Sequence, residues 1–198
     1  MAAFDRSASS SIVVDPPEQA SGPDLPDWVF GYGSLIWDPG FDHRGASLGQ
    51  VHGYHRTFCI RSTRYRGTPE QPGVVLGLDR GGSCIGMVFR LAPETRRRAV
   101  DALYEREMTG GVYVARLLSV VLEDGQRVQA LAFVANRQSP AYERLSDDAI
   151  VDRLTACCGQ RGPNRDYALR TWRSLADHGV HCPHLGRVGR RLLAAGCE

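Results

Sequence analysis

An α+β domain built on a mainly antiparallel, barrel-like sheet is the fold class the sequence predicts, and three observations predict it. Apolar runs of strand length, most with Gly or Pro nearby, fill the region from about residue 28 to residue 135. Helical periodicity is confined to one segment among those runs and to the last third of the chain. The tetrapeptide Glu123-Asp124-Gly125-Gln126 between two such runs carries the Asp-Gly signal of a hairpin. The 198 residues are enough for one domain with a sizeable core.

The elements follow in order. Residues 1–26 hold a serine-rich run, Pro16-Pro17, Gly22-Pro23 and Pro26, with Ile12-Val13-Val14 the only apolar run. Such a segment buries too little to offset its ordering entropy, so a disordered tail is expected there and a folded domain over 27–198. Trp28-Val29-Phe30 reads as a short buried strand entering a turn, Gly31 to Trp37, whose two glycines permit backbone conformations closed to other residues. Strands are then expected over 56–61, 74–78 and 84–91. Pro93 opens a helix running to Glu107 and closed by Gly110-Gly111. Strands 112–122 and 128–135 flank the Asp-Gly turn. Ser146, followed by Asp147 and Asp148, caps a second helix reaching Gly159. Two more helices are expected over about 164–178 and 183–195. No internal repeat is visible.

Composition excludes several chemistries. All 24 basic residues are arginine, which removes Schiff-base chemistry, a lysine-anchored pyridoxal cofactor and a P-loop lysine. Against 22 carboxylates they leave a net charge of +2, without the basic excess of a nucleic-acid footprint. No apolar stretch approaches membrane-spanning length, and the N-terminus lacks the order of a signal peptide, so a cytoplasmic protein is expected. Its six cysteines, with no CxxC among them, should then stay reduced, and Cys157-Cys158 reads as two small helix residues with one or both buried.

Glu107 is the most informative single residue. Val100, Leu103, Tyr104 and Glu107 fall at i, i+3, i+4 and i+7, so a carboxylate sits on the stripe that faces the core. Burial there disfavours the ionised form and moves the group toward the range useful for proton transfer. The alternative is a Glu at a frayed helix end, paired with Arg106 or Arg116 on the surface. Gly31-Tyr32-Gly33-Ser34-Leu35 could let a ligand approach the backbone and present N–H groups to an anion, or be an ordinary tight turn. With Ile36 where a third glycine is needed it is no dinucleotide fingerprint, and no G-x-S-x-G frame forms around Ser34. His178, His181, Cys182 and His184 fit no standard zinc spacing, so no metal site is expected. Arg96-Arg97-Arg98 reads as a solvated helix face. Arg61, Arg64 and Arg66 precede Gly67-Thr68-Pro69 and Pro72-Gly73, a loop that could aim a guanidinium at a carboxylate ligand.

Taken in order, Val29-Phe30-Gly31-Tyr32-Gly33-Ser34-Leu35-Ile36-Trp37, Arg66-Gly67-Thr68-Pro69 with Pro72-Gly73, and Arg106-Glu107-Met108 before Gly110-Gly111-Val112-Tyr113 resemble the ChaC-type γ-glutamylcyclotransferases. Asn136 with Tyr142, and the segment Gly159 to Tyr167, agree with that resemblance, which covers about residues 28–175. It implies a small mixed β-barrel with packed helices. It also implies an enzyme of glutathione breakdown that releases 5-oxoproline and cysteinylglycine, with glutathione as its small-molecule partner and neither cofactor nor metal. The family's acid-base glutamate falls on Glu107. Its substrate-holding loop falls on Gly31, Tyr32, Gly33, Ser34, Leu35 and Ile36, with Arg61, Tyr113 and Tyr142 as further candidates and Tyr167 beside them. The alternatives are a cyclotransferase acting on other γ-glutamyl amino acids or γ-glutamylamines, and a catalytically silent binder of γ-glutamyl compounds or of a protein; retention of both Glu107 and the turn favours catalysis.

Overall fold

The computed structural model describes residues 12–13 and 25–195. In chain order its elements are β1 (Ile12–Val13), β2 (Trp28–Gly31), β3 (His43–Ser62), β4 (Gly73–Leu91), α1 (Arg96–Glu107), β5 (Tyr113–Leu122) and β6 (Arg127–Ala135). Then come α2 (Asp147–Ala156), the short β7 (Cys158–Gly159) and β8 (Gly162–Pro163), α3 (Asn164–Asp177) and α4 (Pro183–Ala194). Strands β5, β3, β4, β2 and β6 lie side by side, and β6 pairs back onto β5, so the sheet closes into a five-stranded barrel. Each pairing in it is antiparallel except the seam β2–β6, where Trp28 and Val29 lie parallel to Ala130 and Leu131. The barrel is therefore mixed. Closure pairs the barrel strands with one another, apart from the stretch of β5 before Val120, and so removes most of the open edges that invite aggregation.

Alternation fills the interior. Phe30, Phe58, Leu76, Leu78, Leu131 and Phe133 are almost wholly buried, each contributing roughly 1.5–3 kcal/mol of apolar burial. Helix α1 lays Ala99, Val100, Leu103 and Tyr104 on the barrel, and the Tyr104 ring meets Phe133 edge-on at 5.6 Å between centroids. Gly86 on β4 marks a close approach: a Cβ there would strike the Gly31 carbonyl and the Phe30 ring.

Several expected boundaries shift, each for a physical reason. The three strands expected over 56–61, 74–78 and 84–91 are parts of the two long strands β3 and β4, paired along most of their length. The polar stretches that hid this continuity, His43 to Gln50 and Arg80 to Ser83, are held by backbone pairing, so no apolar alternation marks them. Helix α1 begins at Arg96 because Ala92 to Thr95 form a turn closed by Thr95 N–H to Ala92 O at 3.1 Å. Ser146 caps α2 as expected, its Oγ accepting from Ala149 N–H at 3.2 Å, but Cys157 is extended, so the helix stops short of Gly159 and the β7–β8 hairpin begins.

Within the segment expected to be a disordered tail, Ile12–Val13 pairs with Leu117 and Arg116 of β5. Strand β5 meets β3 only from Val120 onward, which leaves that stretch of its edge open to another strand. The remainder of the tail up to residue 24 lies outside the described residues, as does Cys197. Cys157 is buried and Cys158 exposed, and all five described cysteines are free.

Candidate active site

A cavity of about 600 Å³ opens beside the barrel. Its lining comes from six places: the turn after β2 (Ser34, Trp37, Asp38), the end of β3 and the loop after it (Ile60 to Arg66), Val75 at the start of β4, the end of α1 with the start of β5, the loop Ser139 to Ala141, and Arg161 with α3. A recess of about 30 Å³, bordered by Tyr32, Gly33 and Leu35, adjoins it. Ser34, Glu107, Tyr113 and Tyr167 line both, so Glu107 stands at the junction of the two spaces.

The α1 stripe delivers Glu107 there, with a side chain only 16% exposed. Burial raises its pKa above the ordinary glutamate value of 4.5, against the opposing charges of Arg106 and Arg161. Both readings of the sequence meet at this residue. Glu107 does pair with Arg106, Oε1 to Nε at 3.1 Å, but the pair is enclosed, with Arg106 itself 17% exposed. Arg106 also donates from Nη2 to Ser34 Oγ at 2.8 Å and from Nη1 to the Asp38 carbonyl at 3.0 Å. One guanidinium thus fastens the acid to the glycine-flanked turn, using the fork geometry that a lysine lacks.

The turn is a single turn of 3₁₀ helix, Ser34–Ile36, and its internal bonds are donated by Ile36, Trp37 and Asp38. The N–H groups of Ser34 and Leu35, at its start, have no acceptor within the turn. Three buried tyrosines surround the recess. Tyr32 donates to the Phe133 carbonyl at 2.7 Å and Tyr113 to the Leu76 carbonyl at 2.9 Å. Tyr167 instead accepts from Leu76 N–H at 3.2 Å, which leaves its own proton for a ligand. Burial pushes all three phenols up, Tyr167 to about 12, so they are neutral at physiological pH.

The family described as ChaC-like protein matches residues 27–187. The chain belongs to the ChaC-like family. Among its relatives, the glutathione-specific gamma-glutamylcyclotransferase of Escherichia coli K12 is 37% identical over 156 residues, which cover 78% of this chain and 68% of that protein. The human glutathione-specific gamma-glutamylcyclotransferase 1 is 36% identical over 155 residues, 76% of this chain and 68% of the relative. The enzyme of the same name from Schizosaccharomyces pombe is 33% identical over 170 residues and is covered to 82%. Among solved structures, a yeast gamma-glutamyl cyclotransferase specific to glutathione superposes with a TM-score of 0.77 at 21% identity, over 86% of this chain and 97% of that one. At that identity the likeness speaks for the fold.

In this ChaC-like barrel the residues singled out in the sequence separate into groups. Ser34, Arg61, Glu107 and Tyr113 line the large cavity, and Tyr32, Gly33 and Leu35 border only the recess. Gly31 and Ile36 border neither; a Cβ on Gly31 would press on Leu35 Cβ at 2.9 Å, so that glycine serves packing. Tyr142 also stands outside the lining. Its hydroxyl is bound to Asp79 Oδ2 at 2.9 Å, while Arg137 Nε holds Oδ1 at 2.6 Å. Asp79, on β4, thereby anchors the segment 136–142 whose middle, Ser139 to Ala141, forms one cavity wall.

Sequence reasoning missed Arg106, Trp37, Asp38, Arg161 and Arg170 as lining residues. Arg106 reads from the sequence only as a surface partner of Glu107; Trp37 and Arg161 stand in the family-like segments without a role of their own, and Asp38 and Arg170 carry no local signal, since the turn after β2 and helix α3 bring them in. Among the described residues no group of three or more His, Cys, Asp or Glu is placed to hold a metal ion. His184 packs its ring on Phe58 at 5.8 Å and lies 3.6 Å from Asp147.

Proposed function

We propose that this ChaC-like protein is a cytoplasmic glutathione-specific γ-glutamylcyclotransferase, a lyase converting reduced glutathione to 5-oxoproline and cysteinylglycine. The observation that carries the proposal is Glu107: an enclosed carboxylate of raised pKa, tied by Arg106 to the Ser34 turn at the meeting of cavity and recess. The names of the relatives from bacteria, yeast and mammals agree with it. So does the charge of the lining, where six arginines face two carboxylates, which suits an anionic peptide.

The chemistry is intramolecular. Glu107 takes a proton from the α-ammonium of the γ-glutamyl unit, and the freed nitrogen attacks the γ-carbonyl carbon, closing a five-membered lactam through a tetrahedral oxyanion. The bond to the cysteine nitrogen then breaks as Glu107 returns its proton to the departing amine, and the second proton of the ring nitrogen passes to that freed amine, leaving a lactam N–H and an ammonium. The Ser34 and Leu35 N–H groups and the Tyr167 hydroxyl are the candidate donors to the oxyanion or the α-carboxylate, one such donor being worth roughly 3–4 kcal/mol in the transition state. Enclosure holds the chain bent for closure. No protein nucleophile is needed.

Incubation with reduced glutathione, with 5-oxoproline and cysteinylglycine measured, tests the proposal. Glu107→Gln is expected to lose at least ~10²-fold in kcat, the lower end of what acid-base catalysis supplies, with an unchanged far-UV spectrum. Normal turnover by that variant would remove Glu107 from the mechanism.

A further inference from the structure

Three guanidinium groups stand along one wall of the cavity. Arg66, in the middle, is tied down from Nη1 to the carbonyls of Arg161 at 2.6 Å and Pro163 at 3.2 Å, and lies 5.3 Å from the Tyr167 ring. Arg161 stacks on Tyr65, its Cζ 4.5 Å from the ring centroid, and Arg170 on Trp37 at 4.1 Å. Stacking fixes the plane of a guanidinium without using its N–H groups. Among the described residues no carboxylate pairs with Arg161 or Arg170, and both forks are free.

The three charges work against one another. Burial lowers the Arg66 pKa, and the charges of Arg161 and Arg170 lower it further, against the opposing pull of Tyr167 and Asp166. Such repulsion is a standing cost that an anion in the cavity would relieve. The arc and the acid line the same cavity, with Glu107 at its junction with the recess, so a peptide whose γ-carbonyl is held at Glu107 has the rest of its length in the space the arc borders. From that carbonyl to the far carboxylate of a γ-glutamyl tripeptide is two residues, about 7 Å of extended chain.

We infer that Arg161 and Arg170, held in place beside Arg66, receive the C-terminal carboxylate of the tripeptide and so make the site selective for glutathione over γ-glutamyl compounds that lack it. The inference rests on the cyclotransferase reading above. Arg161 and Arg170 are specificity residues in it: they touch the part of the substrate that survives as cysteinylglycine, leaving the proton transfers to Glu107.

The test compares reduced glutathione with its C-terminal amide, which differs only in the charge at the distal end. Wild-type protein is expected to show a KM about 10- to 100-fold lower for the acid, the range of a charge-assisted bidentate contact. In Arg161→Met and Arg170→Met, whose side chains still cover Tyr65 and Trp37, the acid-over-amide preference should fall, and in the double variant it should come within about twofold of unity, with kcat moving less than KM. Equal KM values for acid and amide in the wild type overturn the inference, as does a double variant that keeps the full preference. Equilibrium binding of both peptides to Glu107→Gln reads the same preference without turnover. If wild-type protein releases 5-oxoproline from neither peptide, the cyclotransferase reading falls, while the binding ratio still decides the role of the arc.

Discussion

At the level of single side chains, Arg106 and Glu107 make the site's pH behaviour predictable. A base must be ionised to accept a proton, so activity falls as pH drops through the Glu107 pKa. Burial raises that pKa, and the acid limb of kcat/KM is expected above the 4.5 of an ordinary glutamate. Arg106 pulls the other way. Arg106→Met removes the nearer positive charge and should move the limb to still higher pH, while the loss of the Ser34 tether lowers the plateau. A limb that moves downward or stays in place would contradict the pairing, and a pH–rate profile of the two proteins decides it. Glu107 was legible because a carboxylate took the fourth position of a stripe whose other three, Val100, Leu103 and Tyr104, are apolar. Arg106 was not, since an arginine at a helix end looks the same whether it faces water or a turn folded back from 72 residues away.

Among the elements, strand β4 does more than fill the barrel. Asp79 on that strand holds the segment behind β6 through Arg137 and Tyr142. Burial alone would raise the Asp79 pKa, but the hydrogen bonds from Arg137, Arg80 N–H and Tyr142, with the Arg137 charge, outweigh it and hold the carboxyl below its usual 3.8. A folded-state pKa below the unfolded one means stability that is present above the unfolded value and lost as pH falls through the folded one, here below about 4. Asp79→Asn is therefore expected to cost about 1–3 kcal/mol at pH 7 and to raise the KM for glutathione by loosening the Ser139 to Ala141 wall. Urea unfolding from pH 7 to pH 3 should show the gap between the two proteins narrowing toward the acid end. A gap that is constant over that range would mean the carboxylate is not what holds the loop. Helices α3 and α4 were readable in advance because each has local punctuation; β3 and β4 were not, because half of their length is held by pairing partners that no local pattern announces.

Over the whole molecule, charge is carried on the basic side by arginine alone. Amine-acylating reagents find no lysine around the cavity, whereas an arginine-directed dicarbonyl should inactivate the protein, and saturating glutathione should slow that inactivation by covering the lining guanidiniums. Equal sensitivity to both reagents would break the link between the cationic wall and substrate. The α+β class and the barrel-like sheet were visible in the order of the segments, but closure was not, because the seam joins residues a hundred positions apart. That distance also sets a schedule. During synthesis, Trp28 and Val29 emerge long before Ala130 and Leu131, and β2 waits with one flank unpaired until the sixth strand leaves the ribosome. The turn that follows β2 waits with it, so the nascent chain cannot act on any peptide until nearly the whole of the sheet has been translated.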